Sequence, residues 1–310
     1  MKRRTLPLPL LLLGGLAIAT LLLRTYAPPE PVYHGRALTA WLLIASHFNN
    51  TVLPDATRDA EAEAAIRQIG TNAIPFLLHW ISLEPSPLRG KVESAVIELP
   101  EPLSTNPTIR GLIADKAEFR AGLAFRGFRI LAEGAAPAIP RLVEMMNTTN
   151  AVIASEQATC VLGYFGPAAL PPLIKTATDQ HHPCRKYAIS SIETIMVKSP
   201  QRSQMAPMMI ALTQDKDPEV AAAAFDILVL FSGTDQAPAA LKVLTNILAG
   251  PDPDFRRAAA QRIAEFPSNA PMTVPALQLA LVDNDQAVRY AATNTLLDIA
   301  PEALTNVQPK

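Results

Sequence analysis

His181-His182-Pro183-Cys184 is the densest grouping of metal-binding and nucleophilic side chains in the chain. Imidazole and thiolate both ligate transition metals, but a zinc site needs three or four ligands in closed geometry. No second Cys/His pair stands at ligand spacing, and the other histidines, His34, His47 and His79, are scattered. Arg185 and Lys186 follow the cluster directly, so it reads as a polar turn with Pro183 at a helix start. The serines and cysteines lack the local context of an activated nucleophile, and no glycine-rich phosphate loop occurs. The expectation is a chain with no catalytic, cofactor-binding or metal-ligating residue. Cys160 falls in the apolar stripe of one helix and Cys184 opens the equivalent helix of the next repeat, an offset that works against a disulfide. Asn49-Asn50-Thr51 and Asn147-Thr148-Thr149 match the glycosylation triplet, which has meaning only in a eukaryotic secretory context.

The elements that would position these residues are helices. Hydrophobic residues make up 49% of the chain and aromatics only 5%, so the core is built from Ala, Leu, Ile and Val. That mixture favours helices over strands, and no Asn-Gly or Asp-Gly hairpin signal occurs. The fold class is all-α. Lys and Arg number 27 against 28 Asp and Glu. A dedicated nucleic-acid binder needs a basic excess to neutralise phosphate, and that excess is missing.

From about Ala56 onward one pattern recurs every 30–36 residues or so, in the range where helical solenoids are sought. One joint reads Ile69-Gly70-Thr71-Asn72-Ala73-Ile74-Pro75, then Gly134 to Pro140, then Gly166 to Pro171, with weaker copies at Pro207, Ala239-Ala240-Leu241 and Val274-Pro275-Ala276-Leu277. Glycine ends the first helix in the left-handed conformation, and proline in the second helix's first turn forfeits only an orphan N–H. The other joint runs Asp215 to Ala223, Asp252 to Ala259 and Asp283 to Ala292. Each is a helix start in which an aspartate accepts free N–H groups, and Pro218 or Pro253 fits the first turn. Met145, Met146, Met205, Met208 and Met209 stand at spacings that read as core fillers.

These pieces resemble the HEAT-repeat family, with its Asp-x-x-x-Val-Arg-x-Ala-Ala start, glycine turn and proline-bearing second helix. The likeness covers roughly residues 56–308 and is better from Ala117 onward. It implies a right-handed α-solenoid of HEAT-like helix pairs over residues 36–310, about six or seven pairs by length over repeat period. Residues 36–55 read as a capping helix, with Leu38, Trp41, Leu42, Ala45 and Phe48 on one face, and residues 84–108 as an irregular insertion. Ala300 to Lys310 reads as a short, incomplete second helix. One HEAT-like hydroxylase family holds two irons with His-Glu pairs, and this chain has no His-Glu dipeptide. Second helices of such repeats line the concave side, which makes Arg141, Glu144, Lys175, Lys242 and Gln278 a candidate partner-facing row. The function implied is a non-catalytic scaffold for a protein partner; the rival is a HEAT-fold enzyme of the bilin-lyase type working in the concave groove.

Ahead of this, Lys2, Arg3 and Arg4 precede an uncharged, mostly apolar run from Leu6 to Leu23, closed by Arg24. Its length lies between that of a signal peptide's apolar region and that of a membrane-spanning helix. Residues 1–24 are therefore expected to be a signal anchor or a cleaved signal peptide, and 25–35 a Pro-rich spacer. Cations before the run favour a cytoplasmic N-terminus. The solenoid would then lie on the extracytoplasmic side of a bacterial-type inner membrane, or be secreted after cleavage.

Overall fold

Straight-chain and small apolar residues cost little side-chain entropy in a helix, and the chain is accordingly mostly helical. The computed structural model describes residues 29–46, 56–84, 101, 116–148 and 150–305. They fall into two compact units that divide after Leu131. The apolar run 6–23, most of the insertion 84–108, His47, Phe48 and both glycosylation triplets lie wholly or partly outside the described residues. Among the described residues no helix is long and apolar enough to cross a membrane.

The first unit opens with strands, a departure from the all-helical expectation. β1 (Val32–Tyr33) pairs antiparallel with β2 (Arg36–Ala37). The turn between them places His34 at φ 48° and Gly35 at φ 75°, the pair of positive angles that a two-residue hairpin of right-handed twist requires. Histidine tolerates this region better than most residues, so His-Gly does here what Asn-Gly does elsewhere. Helix α1 (Leu38–Ala45) consequently starts two residues later than the capping helix expected from Arg36. Its Leu38, Trp41, Leu42 and Ala45 are buried, the face the periodicity predicts.

Glu30 caps α1 from outside, its carboxylate accepting from the Thr39 backbone N–H at 2.9 Å and from the Thr39 hydroxyl at 2.8 Å. The Leu38 N–H donates to the Pro31 carbonyl and the Trp41 indole N–H to the Tyr33 carbonyl. The end of the expected spacer is thus a strap fastened to α1. Helices α2 (Ala56–Ile69) and α3 (Ile74–Ile81) form a pair across the 3₁₀ turn Gly70–Ala73, with Gly70 at φ 57°. Helix α4 (Lys116–Leu131) packs on α3, closely enough that a Cβ at Gly127 would lie 2.7 Å from a Leu77 methyl.

The second unit stacks one kind of joint repeatedly. Its first helices are α6 (Val152–Leu162), α8 (Arg185–Met196), α10 (Pro218–Ile227), α12 (Pro253–Ile263) and α14 (Gln286–Ile299). Second helices are α5 (Ile139–Met146), α7 (Leu170–Thr178), α9 (Ala206–Leu212), α11 (Ala237–Leu248), α13 (Ala270–Ala280) and the short α15 (Glu302–Thr305). The prolines that open them are Pro140, Pro171, Pro207, Pro238 and Pro271. The expected copies at Ala239 and Pro275 were thus misplaced: the repeat falls on Pro238 and Pro271, and Pro275 sits inside α13. At the joint before α5 it is Ala132, with φ 46°, that takes the left-handed conformation expected of Gly134. Met145, Met146 and Met209 are core residues, while Met205 and Met208 are half-buried.

The aspartate caps form as the sequence requires. Asp217 accepts from the Glu219 N–H, Asp252 from Asp254 and Phe255, and Asp285 from Ala287 and Val288. Each removes a free donor and places negative charge at the positive helix end. Asp252→Ala and Asp285→Ala are each expected to lower stability by about 1 kcal/mol, read as a shift of the urea midpoint with unchanged slope.

Candidate functional site

Set in register on their caps, the first helices of the second unit repeat four structural positions. Two residues before the caps of α10, α12 and α14 stand Asp215, Gly250 and Asp283, and Asp179 takes the matching place in the turn ahead of α8. Asp179, Asp215 and Asp283 each accept the backbone N–H two residues on, from His181, Asp217 and Asp285. That shared turn bond aligns Asp179 with Asp215 and Asp283, although α8 itself starts later, with Cys184 at its cap. Six residues past these positions stand Arg185, Ala221, Arg256 and Arg289. Arg256 and Arg289 fold back alike, Arg256 donating to the Gly250 and Pro251 carbonyls and Arg289 to those of Asp283 and Asn284.

Where both charged residues are present, they clamp one repeat to the next. Arg185 holds both carboxylate oxygens of Asp215, at 2.9 and 2.5 Å, and Arg256 holds both of Asp283, at 2.8 Å each. Parallel N–H···O bonds of this kind are directional as well as strong. The guanidinium hydrogen bonds hold the carboxyls of Asp215 and Asp283 below the usual carboxylate range.

The joint between α10 and α12 has neither partner: the two positions are Ala221 and Gly250. A cavity of about 840 Å³ opens there, against about 530 Å³ beside the Arg185–Asp215 pair and about 370 Å³ beside Arg256–Asp283. Ile210, Ala221, Phe225, Val243, Ile247 and Phe255 line it, with Thr213, Lys216, Lys242, Asn246 and Asp252 among the polar residues.

A second substitution pattern holds this joint open. The Ser191 hydroxyl on α8 donates to the Thr159 carbonyl on α6, and the Thr295 hydroxyl on α14 to the Ala260 carbonyl on α12, drawing each helix onto the one before it. At the α10–α12 joint the corresponding residues are Phe225 and Arg262. A ring and a guanidinium need more room than a hydroxyl on a carbonyl. Arg262 instead lies 4.6 Å from the Phe225 ring centroid and pairs with Asp226. Accordingly α10 and α12 approach each other less closely than α6 and α8, α8 and α10, or α12 and α14. Phe255 shows the result. It is 40% exposed, while Cys184, Val220 and Val288 at the same position are 1%, 1% and 0% exposed. Its ring meets Phe225 edge-on at 6.0 Å, a favoured aromatic geometry.

The acids around the groove are engaged: Asp215 by Arg185, Asp252 by the N–H groups of α12. Lys216 and Lys242 are exposed and make no ion pair among the described residues.

Of the candidate row, the structure brings only Lys242 to the groove. Arg141 and Glu144 pair with each other at 2.5 Å on α5, and Lys175 is exposed on α7. Gln278 is half-buried, and its amide donates to the Ala303 carbonyl, tying α13 to α15. His181 is exposed, and the His182 Nδ1 accepts the Cys184 N–H, with partial burial pushing the imidazole pKa down. The buried Cys184 sulfur lies 3.0 Å from the Ser155 hydroxyl oxygen. Cys160 is also free, and burial pushes its thiol up to about 11. Among the described residues no three His, Cys, Asp or Glu side chains are placed to hold a metal ion.

With this geometry in hand, comparison with known proteins adds one assignment. Residues 241–307, from α11 to α15, match the family model of HEAT repeats. This segment is a HEAT-repeat segment. Among solved structures the chain is similar to Escherichia coli YibA, at 19% identity over 69% of this chain and 76% of that one, with a TM-score of 0.46. It is also similar to an engineered protein (19% identity, 86% and 75% covered, TM-score 0.41) and to the CpcE–CpcF complex of phycocyanin lyase from Nostoc (16%, 90% and 97%, TM-score 0.32). No curated protein matches the chain.

The clamps make their joints acid-sensitive with a defined sign. A carboxylate whose folded pKa lies below its unfolded value, about 3.9 for Asp, stabilises fully above that value and loses the contribution as pH falls through the folded pKa. The wild-type advantage over Asp283→Asn in urea unfolding is therefore expected to be constant from pH 7 to about 5 and to shrink below about 4.

Proposed function

We propose that the chain is a non-catalytic scaffold whose HEAT-type repeats bind a protein partner in the groove between α10 and α12. The observation that carries this reading is the unclamped joint itself. Its cavity of about 840 Å³ is mostly apolar and exposes Phe255 to 40%. Ligand sites are concave, mostly apolar and fitted with a few polar groups, and aromatic residues in such places serve as anchors for a partner. The chemistry of the lining favours binding over catalysis. Asp215 and Asp252 are held by Arg185 and by backbone N–H groups, so neither is poised to move a proton.

The remainder of the proposal concerns setting. The helix pairs form a right-handed solenoid, and residues 6–23, preceded by Lys2, Arg3 and Arg4, carry it to the extracytoplasmic side of a bacterial-type inner membrane. Charge patterning and apolar length support this address.

Two measurements test the proposal. A photo-crosslinking residue at Ala239, which lines the groove, is expected to give a discrete protein adduct in cells, and the same residue at Lys175, outside it, is not. Identical adducts from both sites, or none from Ala239, would sink the groove as the binding surface. Protease added to spheroplasts should digest the helical repeats; full protection until the membrane is lysed would overturn the address.

A further inference from the structure

We infer that the groove between α10 and α12 selects an acidic apolar segment: a partner peptide that inserts an aromatic or branched aliphatic side chain and sets carboxylates on either side of it. This deepens the scaffold reading and rests on it.

The apolar half of the inference comes from what was removed from the joint. Arg185–Asp215 and Arg256–Asp283 occupy the neighbouring joints with polar, directional contacts. At this joint both members are replaced together, by Ala221 and Gly250. Losing one member alone would strand a charge; losing both leaves a space without unsatisfied charge. The space is lined by the apolar side chains of Val243, Ile247, Phe225 and Phe255. A joint merely in need of closure would be filled by its own side chains. Here Phe225 and Arg262 hold it apart instead.

The acidic half comes from charge complementarity at the rim. Lys216, in the turn before α10, and Lys242, on α11, are drawn from different elements of the lining. Both lack an internal partner among the described residues, whereas the acids Asp215 and Asp252 are already held. An arriving carboxylate thus meets unpaired cations. An arriving lysine would meet two like charges, the repulsive element on which discrimination depends, with Asp215 already neutralised by Arg185 and Asp252 alone carrying an unpaired negative charge.

The test uses the full chain in detergent and three fluorescent peptides of equal length. One has a Leu-Phe core flanked by glutamates, one the same core flanked by lysines, and one the glutamates without the core. The Glu-flanked core peptide is expected to bind at least tenfold more tightly than either other, with affinity falling as salt rises. The Lys216→Glu/Lys242→Glu variant should invert the preference between the two core peptides. Ala221→Arg should reduce binding of the Glu-flanked core peptide at least tenfold, because the new guanidinium can fold onto the Asp215 and Lys216 carbonyls as Arg256 and Arg289 do on theirs. Equal binding of the two core peptides, equal binding without the core, no binding by any, or no inversion in the charge-reversed protein would each overturn the inference. The charge-reversed variant decides the matter even if Ala221→Arg fails to fold. A surviving Ala239 cross-link with no glutamate preference removes this inference alone, and loss of the cross-link removes the scaffold reading beneath it.

Discussion

The second unit depends on one interaction, the two-pronged grip of an arginine in one helix pair on an aspartate in the next. In Arg185–Asp215 the side chains are 6% and 12% exposed, and in Arg256–Asp283 14% and 13%. Charges so sheltered gain from each other only when geometry is good and the remaining donors are satisfied. Both conditions hold: the Arg185 Nε–H reaches the Ala177 carbonyl, and Arg256 reaches those of Gly250 and Pro251. The aspartate is also the residue that turns the chain into the next helix, accepting the cap residue's N–H. One carboxylate therefore serves local turn, helix start and contact between repeats, so those levels of structure cannot be varied independently.

That coupling explains why the α10–α12 joint is built differently at several positions. Gly250 has no carboxylate to receive an arginine, and a Cβ there would lie 3.0 Å from the Ile247 carbonyl. The turn at this point is drawn tightly against the end of α11. Ala221 leaves no guanidinium to strand, and Phe225 and Arg262 stand where Thr159 and Ser191 draw α6 to α8 and Ala260 and Thr295 draw α12 to α14. These differences are mutually consistent, and consistency across positions marks a feature rather than a defect.

Much of this was legible in the residues. The aspartate caps and the buried face of α1 follow from spacing and residue type and form where those place them, as do the second helices opened by Pro140, Pro171 and Pro207. Register failed where alanine and proline are abundant. Pro275 matches the motif locally, but Pro271 keeps the repeat, and only packing separates them. The hairpin carries no Asn-Gly or Asp-Gly signal, because His34 takes the left-handed position that Asn or Asp more often fills. For the site, residue type alone pointed to long polar side chains on second helices, which brought in Gln278, a tie to α15, beside Lys242. The better signal was a double absence: Ala221 where Arg256 and Arg289 stand, and Gly250 where Asp215 and Asp283 stand. An absence is visible only against a register, and the register becomes certain once the shared turn bonds are seen.

An unclamped joint also has an energetic consequence that bears on its use. Replacing a buried ion pair by well-packed apolar residues is often neutral or stabilising. Here the apolar residues are left unpacked, so the opening lacks both the Coulombic attraction of its neighbours and the dispersion contacts of a filled core. Phe255 in particular exposes ring surface that its counterparts bury. A segment that covers that surface would recover contacts the fold forgoes, and binding at this joint would stiffen the stack where its first helices approach least closely. Recognition and rigidity would then be one event, because the repeats adjoining the groove are already clamped by Arg185–Asp215 and Arg256–Asp283.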